Sequence, residues 1–137
     1  MLFRSYLFFF KGCPISWHSK THQHVTTSSN HSEYVASAKA AKEADWISKI
    51  FSQLGEPDIC PIPLFGDNKG ANAMVQNPVN HKGAKHVDVA DHFAREQVRR
   101  GLINVPYVNT ADNLADMFTK ALPPCKFNVM CRRIMFK

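Results

Sequence analysis

Two short apolar and aromatic runs near the start of the chain are separated by a turn signal. Residues 6–10 and 14–19 are rich in Phe, Tyr, Ile and Trp, and they flank the short loop Lys11-Gly12-Cys13. Such runs around a glycine-containing loop predict an antiparallel β-hairpin. Residues 25–28 could form a third, shorter strand, so we expect the chain to open with a small antiparallel meander.

The hydrophobic period changes to that of a helix after residue 30. Apolar side chains now recur at three- and four-residue spacing, at Ala36, Ala40, Ile47, Ile50, Phe51 and Leu54. This spacing predicts a long amphipathic helix over residues 31–54, ended by Gly55 and Pro57. Asn30 and Glu33 have the spacing of a capping box, which would mark the start of this helix.

The remaining segments alternate between strand and helix signals. The predicted elements are a strand at 62–65, a helix between Asp67 and Pro78, a helix at 87–100, a strand at 102–108 and a helix at 112–122. This alternation is typical of an α/β protein with a mixed sheet. We expect Trp17 and Trp46 to pack in its core, and the basic, apolar tail at 124–137 could add a short helix.

Length and composition fit one globular domain with a basic surface. The chain has 137 residues, of which 45% are hydrophobic and 20% charged, and its formal net charge is +6. This charge favours a polyanionic partner, of which nucleic acid is the commonest.

The cysteines lack the spacing of a zinc or redox motif, so we expect reduced thiols. The apolar run at 6–10 is too short to span a membrane and is no convincing signal peptide, so we expect a cytoplasmic or nuclear protein without a membrane partner.

Three acidic residues lie at junctions between the predicted elements. Glu33 lies in the first turn of the long helix, Asp67 follows the strand at 62–65, and Asp116 lies early in the last helix. Strand ends and helix starts gather at one edge of an open α/β sheet, where sites tend to form. Clustered carboxylates there would suit Mg²⁺ or Mn²⁺, and two such ions can activate water and stabilise the leaving oxygen of a phosphodiester.

Each of these acidic residues also has a purely structural explanation. Glu33 could complete the capping box with Asn30. Asp67 could cap the second helix, and Asp116 could pair with Lys120 one turn later. Local sequence alone slightly favours these roles, so the metal site is one of two open interpretations.

A further signal comes from strings that occur in a fixed order. They are Pro14-Ile15-Ser16-Trp17-His18-Ser19-Lys20, Ser32-Glu33-Tyr34-Val35-Ala36, Phe65-Gly66-Asp67-Asn68, Asn77-Pro78-Val79, Lys85-His86-Val87-Asp88-Val89 and residues 112–123. Together they resemble the C-terminal ribonuclease H-like domain of copia-type retrotransposon Pol polyproteins. The resemblance runs from residue 5 to residue 124, and its order makes coincidence implausible.

The resemblance implies a ribonuclease H-like fold, a mixed sheet flanked by helices. It also implies a nuclease that degrades the RNA strand of RNA–DNA hybrids during reverse transcription by two-metal hydrolysis. Glu33, Asp67 and Asp116 would be its catalytic, metal-binding carboxylates, with Mg²⁺ or Mn²⁺ as cofactor. The family has a fourth, an aspartate in its first strand, whereas this sequence has no acidic residue before Glu33. Gly66 replaces a bulkier family residue, which we interpret as drift.

We therefore expect residues 1–123 to be a ribonuclease H-like domain that lacks its first catalytic strand. Such a remnant is expected to be inactive alone, and whether it binds the metal ions is left open. The alternative is a non-catalytic, basic nucleic-acid-binding fragment or a pseudogene product.

Several basic side chains could contact the phosphates of a nucleic acid. These predicted nucleic-acid-binding residues are Lys82, Lys85, His86, Arg95 and Arg99. A solvated helix face explains them equally well. The expected partners are an RNA–DNA hybrid or another nucleic acid and the upstream reverse transcriptase portion of the polyprotein, with no small-molecule substrate.

Overall fold

The structure, a computed structural model, describes residues 3–21, 29–56, 58–77, 88–119 and 121–135. The described elements are β1 (Phe3–Phe10), β2 (Cys13–Thr21), α1 (Ser29–Gln53), β3 (Ile62–Pro63), α2 (Lys69–Gln76), α3 (Asp88–Arg99), β4 (Ile103–Asn104), a 3₁₀ helix (Leu114–Phe118) and α4 (Pro124–Met135). The class is therefore mixed α/β, as predicted. The strand suggested at 25–28 lies outside the described residues.

The chain divides into two compact units. Unit 1 combines Met1–Val25 with Asn109–Lys137, and unit 2 is Thr26–Val108. No helix in the described parts of either unit combines the length and apolar character that a membrane span requires. Each unit has its own small sheet, so the described strands form two two-stranded sheets.

The sheet of unit 1 is the predicted hairpin. β1 and β2 pair antiparallel, with Ser5 directly opposite Ser19. The turn residues Lys11 and Gly12 have φ angles of 49° and 82°. Two positive φ angles are the geometry of a type I′ turn, whose twist matches that of the paired strands. The prediction of a hairpin around this loop is confirmed.

The two tryptophans are not part of the core. Trp17 on β2 is 61% exposed and Trp46 on α1 is 57% exposed, so the prediction that they pack inside was wrong. Small side chains are concentrated on one helix of unit 2. The buried face of α1 carries Ala38, Ala40, Ala41 and Ala44 beside Tyr34 and Ile47. A face of small side chains lets other helices approach closely.

The predicted helix at 112–122 forms only the short 3₁₀ helix Leu114–Phe118. The N–H of Thr119 donates to the Asp116 carbonyl, three residues back, at 3.0 Å. An α-helix would use the Ala115 carbonyl instead, four residues back. That carbonyl accepts the hydroxyl of Ser5 at 2.9 Å. The prediction of an α-helix was wrong: the segment forms one short 3₁₀ helix, and its Ala115 carbonyl accepts a hydroxyl from a distant segment.

The tail of the chain forms α4, which belongs to unit 1. Met130 and Ile134 are its buried residues. α4 contacts β2 and the 3₁₀ helix. Arg133 also pairs with Asp112 at 3.0 Å, and both side chains are about half exposed. An exposed pair of this kind adds little stability, so burial of the two apolar side chains is the main attachment.

The sheet of unit 2 is a parallel pair that brings distant segments together. Ile62 of β3 lies opposite Ile103 of β4. Backbone hydrogen bonds of 2.8–3.1 Å continue the pairing from Ile62 as far as Gly66, which bonds to the Pro106 carbonyl and the Val108 N–H. The predicted strands at 62–65 and 102–108 therefore pair in parallel along their length. We call this pairing the parallel ladder.

Gly66, at the end of the parallel ladder, is in close contact with helix α2. The Asn72 side chain is 6% exposed and donates from Nδ2 to the Gly66 carbonyl at 2.9 Å. A Cβ at position 66 would overlap Asn72 Oδ1 and lie 3.1 Å from Asn72 Cγ. The interpretation of Gly66 as drift therefore has a structural alternative, because the Asn72 amide fills the space of a side chain there.

We expect Gly66→Ala to lower the free energy of unfolding by about 1–3 kcal/mol, because the added methyl group must displace the buried Asn72 amide. In an Asn72→Ala background the same substitution should cost at least about 1 kcal/mol less. Urea denaturation of the four variants of this double-mutant cycle measures both values. Equal costs in the two backgrounds would contradict the proposed contact.

Candidate functional site

Glu33 lies on α1, exposed to solvent between two buried neighbours. Ser32 is 3% exposed and Tyr34 is 0% exposed, so the helix is anchored on both sides of the carboxylate. α1 begins at Ser29, and its first turn contains no acidic residue. Glu33 therefore lies beyond the first turn, which disfavours the capping-box explanation of its position.

Asp67 immediately follows the parallel ladder, and its backbone is fixed on both sides. Gly66 is held by ladder hydrogen bonds. On the other side, Asn68 is the N-cap of α2, and its Oδ1 accepts the Ala71 N–H at 3.1 Å. The interpretation of Asp67 as the helix cap was wrong, because Asn68 has that role. The half-buried carboxylate of Asp67 is thus placed at the carboxyl end of a parallel strand without being used as a cap.

Two further residues, Lys69 and Tyr107, lie near the end of the parallel ladder that Asp67 follows. The sequence alone did not identify them as part of the candidate site. Tyr107 pairs with Gly66 across the end of the parallel ladder and is 50% exposed. The Lys69 ammonium lies 4.9 Å from the centre of its ring, within cation–π range. A prediction that the strands at 62–65 and 102–108 pair with each other would have indicated that Tyr107 lies close to the aspartate.

Asp116 belongs to unit 1, where it lies within the 3₁₀ helix and is 8% exposed. Asn113 caps this helix by accepting the Ala115 N–H at 3.2 Å. The Asp116 carbonyl accepts both the N–H and the Oγ1 hydroxyl of Thr119, at 3.0 and 2.9 Å. The backbone on either side of this carboxylate is therefore held by short local hydrogen bonds. The predicted partner Lys120 lies outside the described residues.

The three carboxylates are thus distributed over both units. Glu33 and Asp67 lie in unit 2, and Asp116 lies in unit 1. Their oxygen atoms are of the type that Mg²⁺ and Mn²⁺ prefer. Within the described parts of the chain, no three His, Cys, Asp or Glu side chains form a group that could hold a metal ion. The assignment of these residues to a metal site stays a prediction.

Only two of the predicted nucleic-acid-binding residues can be placed. Lys82, Lys85 and His86 lie outside the described residues. Arg99, near the end of α3, is exposed and pairs with Glu96 at 2.9 Å. Its side chain is 81% exposed, so it remains accessible to a phosphate group.

Arg95 has a role inside unit 2. Its Nε donates to the Met74 carbonyl at 3.0 Å, and its guanidinium lies 5.7 Å from the centre of the Tyr34 ring. Met74 lies in the last turn of α2, where carbonyls have no partner within the helix. A cation at this end also interacts favourably with the helix dipole. Arg95 thus connects α3 to α2 and α1, and its contact with nucleic acid stays a prediction.

We expect Arg95→Met to lower the free energy of unfolding by about 1–3 kcal/mol, because a charged hydrogen bond to a helix end is lost. Arg99→Met removes the same charge from an exposed surface and should change it by less than about 0.5 kcal/mol. Thermal or urea denaturation of both variants measures the difference. Equal effects would show that the contacts of Arg95 contribute no stability of their own.

Comparison with known proteins shows extended similarity to transposon polyproteins. Over 121 residues the chain is 39% identical to the retrovirus-related Pol polyprotein from transposon RE2 of Arabidopsis thaliana, and 38% identical to that from transposon RE1. Over 130 residues it is 34% identical to the Pol polyprotein from transposon TNT 1-94 of Nicotiana tabacum. No protein-family model matches the chain. No solved structure matches it either.

These matches cover most of this chain and little of the relatives. They span 88%, 88% and 95% of the chain, but only 8%, 8% and 10% of the three polyproteins. The resemblance to copia-type Pol polyproteins, drawn from the ordered strings, is confirmed. The chain is a relative of the retrovirus-related Pol polyproteins of copia-type transposons and corresponds to one short segment of them.

Proposed function

We propose that the chain is part of a ribonuclease H-like domain that degrades the RNA strand of RNA–DNA hybrids for a retrotransposon Pol polyprotein. One observation carries the proposal most directly. In a chain that matches Pol polyproteins over about nine-tenths of its length, Asp67 stands at the carboxyl end of a parallel strand pair. In open α/β sheets, ligands bind outside the carboxyl ends of the strands.

The proposed fold requires one strand more than the structure describes. A ribonuclease H-like sheet is single and mixed, whereas the described strands form one antiparallel pair and one parallel pair. Within the described residues, β1 pairs only with β2, although it is eight residues long. Edges of this length bind further strands readily. We propose that a preceding segment of the polyprotein supplies a strand that pairs with β1.

The same strand would complete the set of carboxylates. The sequence contains no acidic residue before Glu33, so it offers three of the four carboxylates expected in the family. Divalent ions held by the completed set would activate a water molecule and stabilise the leaving oxygen of a phosphodiester. The three carboxylates in this chain would supply oxygen ligands to the ions. Glu33 would do so from α1, Asp67 from the end of the parallel ladder and Asp116 from the 3₁₀ helix.

The proposed substrate is consistent with the charge of the chain and with the surroundings of Asp67. A formal net charge of +6 attracts a polyanion. The Lys69 ammonium above the Tyr107 ring is 4.9 Å from its centre and lies close to Asp67 along the chain. An ammonium there can contact a phosphate of the strand to be cut, and the half-exposed ring can contact a sugar or base.

A second candidate function is binding of nucleic acid without cleavage. It is supported by the combination of a basic chain and an incomplete set of carboxylates. Under this alternative, affinity for a hybrid falls steeply with salt, because binding releases counterions from the phosphates. The two functions differ in whether cleavage appears once the missing strand is supplied.

We expect the 137-residue chain to bind a labelled RNA–DNA hybrid without cutting it. A fusion carrying the residues that directly precede the matching segment of the RE2 Pol polyprotein should cut the RNA strand in the presence of Mg²⁺ or Mn²⁺. Asp67→Asn in this fusion should slow cleavage by about 100-fold or more, because a metal-binding oxygen is lost. Gel electrophoresis of end-labelled RNA measures the rates.

Asp45→Asn is the matched control. Asp45 lies on α1 and already pairs with Lys49 at 2.6 Å, one turn away, so its loss should leave the cleavage rate within about twofold. A fusion that is folded by circular dichroism but does not cut would favour binding alone. Cleavage that survives Asp67→Asn would remove this carboxylate from the proposed site.

A further inference from the structure

The hairpin of unit 1 contacts the 3₁₀ helix through two serine hydroxyls. Ser5 Oγ donates to the Ala115 carbonyl at 2.9 Å, and Ser19 Oγ donates to the Phe118 carbonyl at 2.7 Å. The partners are 110 and 99 residues apart in sequence. These are side-chain contacts between distant segments, and local sequence patterns do not predict them.

The two serines are matched to the two carbonyls in space. Ser5 and Ser19 are directly opposite each other in the hairpin, so their Cβ atoms lie roughly 5 Å apart on one face. Ala115 and Phe118 are three residues apart, which is one turn of a 3₁₀ helix and a rise of roughly 6 Å. Residues three apart in such a helix lie on the same side. One cross-strand pair can therefore bind both ends of a single turn.

Asp116 lies inside the turn that the serines hold. Ala115 precedes it directly and Phe118 follows it by two residues, so a hydroxyl is bound on each side of the aspartate. Phe118 is the last residue of the 3₁₀ helix, where carbonyls lack partners within the helix. The hydroxyl of Ser19 supplies one. A five-residue helix has little stability of its own, so outside contacts must fix its place.

We propose that Ser5 and Ser19 are positioning residues that hold the Asp116 carboxylate in place for metal binding. We call the pair the serine clamp. Each hydroxyl bonds to the backbone beside the aspartate, so neither needs to touch metal or substrate. The inference deepens the proposed function and rests on it, since it assigns the clamp to the carboxylate proposed as a metal ligand.

The test compares the unchanged chain with the double variant Ser5→Ala/Ser19→Ala by NMR. Amide hydrogen exchange at Asp116 and Thr119 reports whether the 3₁₀ turn is held, because both N–H groups make its internal bonds. We expect exchange there to rise roughly tenfold or more in the double variant. Ser5→Thr/Ser19→Thr keeps both hydroxyls and should restore slow exchange. Ser52→Ala removes an exposed serine of α1 and should leave exchange at these amides unchanged.

Paramagnetic broadening by Mn²⁺ alone is the second readout. In the fusion with the preceding RE2 segment, which supplies the proposed fourth carboxylate, Mn²⁺ should broaden the amide signals of Asp67 and Asp116. The same fusion with Ser5→Ala/Ser19→Ala should need a higher Mn²⁺ concentration for half-maximal broadening, and the threonine variant should restore the original concentration. The threonine variant controls for general destabilisation of unit 1, because it keeps both hydroxyls.

The two readouts separate failure of the clamp from failure of the proposed function. Unchanged exchange at Asp116 and Thr119 in a folded double variant would overturn the clamp, whatever Mn²⁺ does. Faster exchange with an unchanged Mn²⁺ concentration for half-maximal broadening would also overturn it, because the carboxylate would then bind metal equally well without the serines. No broadening at either aspartate in the fusion would count against the proposed function, and the exchange rates would then decide for or against a clamp on the turn alone.

Discussion

The parallel ladder is the constraint on which unit 2 depends. It joins residues near 62 to residues near 103, and without it neither Asp67 nor Tyr107 has a defined place. Gly66 is its most constrained point: its N–H and carbonyl bond to the facing segment, and the carbonyl also accepts the Asn72 amide. Gln76 adds a bond from α2 to the Val105 carbonyl at 2.7 Å. Helix α2 is thus bound to both segments of the ladder, and the first helical residue follows Asp67 by only two positions.

In unit 1, the Asp116 carboxylate is positioned by a different kind of contact. Asp116 is not at the end of a strand but in a short 3₁₀ turn, whose carbonyls accept hydroxyls from the hairpin. The parallel ladder uses backbone N–H and carbonyl groups, of which proline lacks only the N–H, so it tolerates substitution of most side chains. The serine contacts depend on two particular hydroxyls. The carboxylate in unit 1 is therefore the more easily displaced by single substitutions.

The elements that the sequence predicted correctly are those that depend on residues close together in the chain. The hairpin around Lys11, the long helix α1 and the ends of the helices at Gly55 and Gly101 follow from turn chemistry and periodicity within short windows. Prediction from the sequence failed where distant groups decide. The helix containing Asp116 is a short 3₁₀ helix that accepts a hydroxyl from Ser5 at the other end of the sequence, and the exposure of Trp17 and Trp46 is set by tertiary packing. For the candidate site, sequence order identified Asp67 beside a strand end, while the neighbouring Lys69–Tyr107 contact required the pairing of β3 with β4.

The proposed metal site can be tested most directly by anomalous diffraction from Mn²⁺-soaked crystals of the chain fused to the preceding RE2 segment. An anomalous peak should lie among carboxylate oxygens of Glu33, Asp67 and Asp116, at metal–oxygen distances of about 2.0–2.3 Å. Such a peak would place residues of both units around one metal centre. Well-ordered crystals in which Mn²⁺ is bound elsewhere, or in which Asp116 is turned away from the other two carboxylates, would contradict a shared metal site.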